Sequence, residues 1–391
     1  MLKVRTLFSG IGAPESALKN IGIDFELVDF CENDKYAIKS YCAIHGVSES
    51  KNLGDVSKVW GRDLPYADLL VWGFPCTDIS VAGRQGGIVE GVTRSGLYYE
   101  GYRVLKETKP KYSIIENVKN LTGKKFKVEF EQILEDIKGL GYNNYWKVLN
   151  AKDYGIPQNR ERVFIVSIRA DVDTHKFEFP EGFDNGLRLK DFLQDEVDEK
   201  FYVSKEKTEK LLEQLKTKSI DKPVLVGGIG EINFGKQYRQ GNRIYSADAI
   251  AMCLMAQPVG NTGGNSYLYK IENKCIQLGS LEQPGYHESC NRVYAPEGIA
   301  RTLMGGGGNL NDKAGQYMIN YRIRRLTPRE CWRLMGFADI EFEKAQAAKI
   351  SDSQLYKQAG NSIVTNVLSD IFKKLLQADI QANIDGNKII G

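Results

Sequence analysis

The sequence predicts an α/β protein, with a doubly wound, mostly parallel sheet joined to a smaller, irregular, β-rich domain. Three observations carry this reading. Short apolar runs alternate with amphipathic stretches over the first 170 residues, the pattern of successive β-α-β units. A glycine turn, Phe8-Ser9-Gly10-Ile11-Gly12, separates the first apolar run from the first amphipathic stretch. Finally, 16 of the chain's 39 glycines fall between Pro223 and Asn320, which predicts a loop-rich region of different character.

In chain order, Val4 to Phe8 reads as a strand followed by a helix over Ala13 to Asn20, and Phe25 to Cys31 with Lys35 to Ile44 repeats the unit. Leu69 to Gly73, Ser113 to Glu116 and Val163 to Ile168 are further apolar runs. Apolar residues recur at helical spacing over Ser95 to Lys106 and Val128 to Lys138, which supplies crossover helices. From about Lys176 the pattern changes: Leu189 to Asp198 is acidic and Ser204 to Lys218 reads as a charged helix. Helical patterning returns at Thr327 to Met335 and Ile363 to Leu376. The larger domain is therefore expected to be discontinuous, residues 1–175 plus 322–391, with 176–321 forming the smaller one.

The smaller domain contains an internal repeat. Asn242 to Ala256 aligns with Asn291 to Gly305, and seven of the 15 positions are identical, including Arg243 with Arg292 and Tyr245 with Tyr294.

Composition excludes several classes. The apolar run at the start is too short for a secretory signal, and no stretch approaches the roughly 18 apolar residues of a membrane span, so a soluble cytoplasmic protein is expected. The seven cysteines form no Cys-x-x-Cys pair and there are only three histidines, so neither a disulfide framework nor a metal site is expected. A net charge of +3 permits nucleic-acid binding without implying it.

The glycine turn lies where a strand hands over to a helix, the position at which backbone can approach a nucleotide-like ligand. Taken alone, it is equally a tight turn with no ligand. Glu32, at the end of the next strand and about 20 residues on, is placed to bind ribose hydroxyls. Gly73-Phe74-Pro75-Cys76-Thr77-Asp78-Ile79-Ser80 follows the strand Leu69 to Trp72, which puts a cysteine at the carboxyl edge of the sheet, where open α/β sheets bind ligands.

This segment resembles the Pro-Cys nucleophile loop of the cytosine-5 DNA methyltransferases. It is followed in the family's order by Glu116-Asn117-Val118, Gln158-Asn159-Arg160-Glu161-Arg162 and Gln358-Ala359-Gly360-Asn361-Ser362. The resemblance covers residues 1 to about 170 and 322 to 376. It implies a Rossmann-like, S-adenosyl-L-methionine-dependent enzyme that methylates carbon 5 of cytosine in a short duplex DNA sequence. By resemblance Cys76 is the nucleophile, Glu116 the acid at ring nitrogen 3 and Arg162 the cation on the exocyclic oxygen, with Arg160 in support. The cofactor would be held by Phe8, Gly10, Gly12, Glu32, Asp55, Pro75 and Asn361. Two departures are noted: Ala13-Pro14 stands where a second glycine or a large residue is common, and Thr77 replaces a frequent glutamine.

These residue types suit the chemistry independently. Carbon 5 of cytosine is a poor nucleophile until something adds at carbon 6, and a thiol is suited to that addition. An acid at nitrogen 3 and a cation on the oxygen stabilise the charge the addition creates. The partner implied is double-stranded DNA, read by Arg84 in the glycine-rich loop after Cys76, by Arg243 and Arg292 of the repeat, and by Arg301, Thr302 and Leu303 ahead of Gly305 to Gly308. The repeat could equally be a packing motif. A monomer is expected, and the sequence leaves open whether a cognate restriction endonuclease is a further partner. Transfer-RNA cytosine methylation, a catalytically silent DNA-binding homologue and a nicotinamide-dependent dehydrogenase are the alternatives. The last gives no work to Cys76, Glu116 or Arg162.

Overall fold

A computed structural model describes residues 1–80, 85–202, 225–228, 243–246, 251–252, 268–272, 277–280, 292–294 and 321–387. The chain forms two compact units, one comprising Met1–Leu193, Ile250–Gln257 and Thr327–Gly391, the other Gln194–Ala249 and Pro258–Leu326.

The first unit is built on strands β1 (Leu2–Leu7), β2 (Phe25–Cys31), β3 (Leu69–Trp72), β4 (Tyr112–Val118), β5 (Tyr142–Asn150) and β7 (Glu161–Arg169), with the short β6 (Gln158–Asn159) beside them. Its six-stranded sheet has the order β2-β1-β3-β4-β7-β5. The first four strands are parallel, and β7 pairs antiparallel with both β4 and β5. The chain runs from β1 outward to β2 and then back across β1 to β3, so the strand order reverses between β1 and β3. Ligands in such sheets bind at the carboxyl ends beside this switch point. Phe8–Gly12 and Gly73–Cys76 both leave the sheet there.

Local chemistry explains the elements. Helix α1 (Ala13–Asn20) takes Pro14 in its first turn, where a missing N–H costs nothing, so Ala13-Pro14 is compatible with the fold. Helix α2 (Lys35–His45) is capped by Asp34, whose carboxylate accepts from the Tyr36 and Ala37 amides, and ends on the left-handed Gly46. Helix α3 (Tyr98–Thr108) lies against β3, and a Cβ at Gly101 would collide with the ring of the buried Trp72. Helix α4 (Lys127–Gly139) leads into β5. That strand carries three asparagines and a lysine and is fully buried only at Tyr142 and Leu149, so its sequence lacks the apolar run that marks the buried strands.

The last segment returns as α5 (Pro328–Arg333), α6 (Asp339–Ala347), α7 (Asp352–Asn361) and α8 (Thr365–Asn387). Thr327 and Glu330 form a reciprocal capping box at the start of α5.

The first unit extends beyond the break expected near residue 175. Phe177 and Leu189 are buried, the Tyr154 hydroxyl donates to the Pro180 carbonyl, and the Arg333 guanidinium donates to the carbonyls of Phe192 and Leu193. Strand β10 (Ala251–Met252) pairs with β6, which assigns Ile250–Gln257 to the same unit. Long-range bonds of this kind leave no trace in local composition.

In the second unit β8 (Leu225–Gly228), β9 (Arg243–Ser246), β11 (Leu268–Glu272) and β14 (Tyr321–Arg325) form a sheet of order β14-β11-β9-β8. β12 (Gln277–Ser280) pairs with β13 (Arg292–Tyr294). The repeat seen in the sequence has a structural counterpart. In one copy Leu225 faces Tyr245 and Gly227 faces Ile244, with a register shift between; in the other Gln277 faces Tyr294 and Gly279 faces Val293, with the same shift. Each copy thus contains an antiparallel pair with a bulge just before a glycine, a similarity wider than the 15 aligned positions. The charged helix expected over Ser204 to Lys218 lies outside the described residues.

Candidate active site

The glycine turn is held from two sides. Phe8, Gly10 and Gly12 all have left-handed backbone, at φ 53°, 57° and 82°; for Phe8 this costs about 1 kcal/mol. Gly12 must be glycine, because a Cβ would strike the rings of His45 and Tyr41. The His45 Nε2 lies 3.0 Å from the Ile11 carbonyl and the Lys19 ammonium 3.1 Å from Nδ1, an arrangement met by a neutral ring donating through Nε2. Burial and the neighbouring Lys19 pull the His45 pKa down to about 3. Beside Gly10, by contrast, a Cβ would meet nothing within 4 Å. The turn is packed at one glycine and open at the other.

Glu32 does more than present a carboxylate. Its Oε2 accepts from the Gly10 amide at 2.9 Å and its Oε1 from the Asn33 and Asp34 amides at 2.8 Å. Glu32 therefore ties the glycine turn to the end of β2, and burial pushes its carboxyl above the ordinary range. Asp55 caps a short helical turn, accepting from the Ser57 amide and hydroxyl. Asn361 ends α7 and is exposed. Arg160 is buried, and its guanidinium donates to the carbonyls of Gly360 at 3.0 Å and Ser362 at 2.7 Å. Its position is thus beside Asn361, a placement that the motif alone does not reveal.

The nucleophile candidate sits on a turn at the end of β3. The Cys76 carbonyl accepts from the Ile79 and Ser80 amides, and the side chain is partly exposed. Gly73 lets this turn approach β4, since a Cβ there would lie 3.0 Å from the Glu116 carbonyl. Asn117 donates to the Phe74 carbonyl at 3.1 Å and Asn120 to the Ile79 carbonyl at 2.6 Å. Burial pushes the Cys76 thiol above its usual range and Glu116 adds to this, while Arg162 and Arg160 pull it down.

Glu116 and Arg162 meet through strand register. Val118 of β4 faces Arg162 of the antiparallel β7, and Glu116, two residues back, points to the same face. The Arg162 Nε lies 3.1 Å from Glu116 Oε1 in a largely buried ion pair. Burial raises the Glu116 carboxyl, opposed by the two arginines.

The chain as a whole has known relatives. The description of C-5 cytosine-specific DNA methylases matches residues 2–377. The chain belongs to that family. It is 36% identical to the orphan methyltransferase M.Rho11sI of Bacillus phage rho11s, over 96% of this chain and 98% of the relative. Against the type II methyltransferase M.HhaI of Haemophilus parahaemolyticus it is 32% identical, over 95% and 93%. Among solved structures the fold is similar to the Entamoeba histolytica methyltransferase EhMeth, with a TM-score of 0.63 and 17% identity over 96% and 98% of the two chains.

In this C-5 cytosine methylase, then, Cys76, Glu116, Arg160 and Arg162 gather at the carboxyl edge of the sheet, as do Phe8, Gly10, Gly12, Glu32 and Pro75. Arg84, Arg301, Thr302 and Leu303 lie outside the described residues. Arg243 and Arg292 open matching strands of the two repeat copies. Sequence reading missed His45, Asp78, Ser95, Asn117 and Asn120, which support the site through hydrogen bonds to backbone. Asn117, adjacent to Glu116, and Asp78, two residues after Cys76, carried a usable signal, since both lie in matched motifs. No helix among the described residues is long and apolar enough to cross a membrane, and none of these residues form a group of three or more suited to a metal ion.

Proposed function

We propose that the chain transfers a methyl group from S-adenosyl-L-methionine to carbon 5 of a cytosine in a specific short sequence of duplex DNA. The observation that carries this is the convergence of Cys76 with the Glu116–Arg162 pair, a thiol beside a buried acid and a fixed cation.

The residues divide the work as follows. Carbon 6 is unreachable inside a stacked helix, so the target base must be flipped out, at a cost of a few kcal/mol. Glu116 and Arg162, side by side, match the adjacent ring nitrogen 3 and exocyclic oxygen of cytosine. Glu116, held above the usual carboxyl range, supplies a proton to nitrogen 3, and Arg162 stabilises the charge on the oxygen. The Cys76 sulfur, once deprotonated, bonds to carbon 6 and makes carbon 5 nucleophilic. Carbon 5 takes the methyl group, and loss of its proton expels Cys76.

The cofactor reading is supported by the open space beside Gly10, the left-handed turn and the acid at the end of β2. Phe8, Gly10, Gly12, Glu32, Asp55, Pro75 and Asn361 would hold S-adenosyl-L-methionine, which supplies the electrophilic methyl group. The second unit is read as the domain that selects the DNA sequence. Double-stranded DNA is the substrate and the cytoplasm the compartment.

Transfer of tritium from labelled S-adenosylmethionine should occur with duplex DNA and not with transfer RNA. Wild type should form a denaturation-resistant adduct on DNA carrying 5-fluorocytosine, because fluorine at carbon 5 cannot leave as a proton does, and Cys76→Ser should form none. Preferential labelling of RNA, or an adduct with Cys76→Ser, would sink the reading.

A further inference from the structure

The turn that carries Cys76 is fastened by one hydroxyl. Ser95, fully buried 19 residues further along the chain, donates from Oγ to the Pro75 carbonyl at 2.7 Å. The same Oγ accepts from the Asp78 amide at 3.2 Å. The carbonyl just before Cys76 and the amide two residues after it thus meet on a single oxygen atom. That oxygen is fixed in turn, because the Ser95 amide donates to Asp78 Oδ2 at 3.1 Å and the Thr77 hydroxyl lies 3.3 Å from the same carboxylate oxygen. Asp78 is itself buried, and its carbonyl accepts from the Gly87 amide.

The surroundings give this pair its stiffness. Ser95 and Gly96 lie within a short helical turn that leads directly into α3. Behind the nucleophile turn, Phe74 and Tyr98 pack edge to face with centroids 5.4 Å apart, and Tyr98 stacks on Trp72. Asn117 and Asn120 hold Phe74 and Ile79. Those amides grip the outer ends of the turn, whereas the Ser95–Asp78 pair grips the Pro75 carbonyl and the Asp78 amide inside it.

We propose that Ser95 and Asp78 are positioning residues for Cys76. They hold the peptide unit that precedes it and the one that follows Thr77, and so set the direction and reach of the sulfur toward carbon 6. The inference rests on Cys76 being the nucleophile. Geometry of this kind is costly to lose, since a misplacement of about 1 Å can slow a reaction on the order of 100-fold.

The test uses the full chain and a duplex with 5-fluorocytosine at the target, and follows the single-turnover rate of adduct formation. Ser95→Ala is expected to slow capture about 10- to 100-fold, with affinity for the ordinary duplex and for the cofactor within about twofold and an unchanged Tm. Ser95→Thr, which keeps a hydroxyl, should recover most of the rate. Asp78→Ala should behave like Ser95→Ala, and Asp78→Asn, whose amide oxygen still accepts from the Ser95 amide, should stay within about threefold of wild type. Because the two residues act as one device, the double variant should be no slower than the slower single. Capture by Ser95→Ala at the wild-type rate would overturn the proposal. So would Asp78→Asn being as slow as Asp78→Ala, or two losses that multiply. Absence of any adduct with wild type would instead refute Cys76 as nucleophile, which separates the two failures.

Discussion

The guanidinium of Arg160 donates to the two peptide carbonyls on either side of Asn361. Two motifs 200 residues apart in the chain are thereby joined by one buried side chain. Lysine has a single ammonium in place of the planar fork, so Arg160→Lys should loosen the loop that presents Asn361. Affinity for S-adenosylmethionine is expected to fall about tenfold, with kcat at saturating cofactor reduced less than about threefold. Calorimetric titration checks the first and steady-state kinetics the second. A fall in kcat at unchanged cofactor affinity would return Arg160 to the chemical step.

Glu116→Gln keeps the size of the side chain and removes its proton-donating ability. Methyl transfer should slow on the order of 100-fold or more, while affinity for duplex DNA changes less than about threefold. A wild-type rate in a single-turnover assay would exclude Glu116 as the acid.

The Cys76 thiol is pushed up by burial and by Glu116, and pulled down by Arg162 and Arg160. Its alkylation by iodoacetamide in the DNA-free enzyme should therefore rise about tenfold per pH unit from pH 7 to pH 9 without levelling off. Arg162→Gln removes a cation and should slow the reaction at pH 8; Glu116→Gln should speed it. Peptide mass spectrometry reads all three, and a plateau below pH 8 in wild type would contradict the assignment.

His45 gives a stability signature. Its folded pKa, about 3, lies below the ordinary histidine value, so between the two the unfolded chain binds a proton that the folded one does not. Stability is then complete above the ordinary value and declines as pH falls below it. Lowering the pH from 7 to 5 should cost about 1–2 kcal/mol from this residue. In urea titrations at both values, His45→Gln should be less stable at pH 7 and should lose part of the acid dependence. An identical dependence in the variant would remove His45 as its source.

The second unit's role can be tested by transplant. Exchanging residues 223 to 320 for the matching segment of a relative with a different site should transfer the site, as read by methylome sequencing. An active hybrid that still methylates the original sequence would place the determinants in the first unit.

Much of the site was legible because its chemistry depends on residue types that the sequence spells out. Cys76 after an apolar strand, Glu116 at the end of another and Glu32 about 20 residues past a glycine turn are all short-range patterns tied to strand ends. Hydrophobic runs likewise marked β1 to β4 and β7, since strands buried on both faces are mostly apolar. β5 escaped because, fully buried only at Tyr142 and Leu149, it can be polar, and its pairing with β7 is set by register and not by composition.

What the sequence by itself determined is therefore the parallel core, the order of the catalytic motifs and the existence of a repeat. Only tertiary structure decided that Glu116 and Arg162 form a pair, through the antiparallel register of β4 and β7. It also decided that Arg160 brackets Asn361, that Ser95 and Asp78 grip the Cys76 turn, and that the first unit runs on to Leu193 and takes in β10. For Arg160 and Ser95 the physical reason is the same. A side chain that hydrogen-bonds to a distant peptide group recognises backbone, which every residue has, so its partner leaves no signature in the sequence until folding brings the two together.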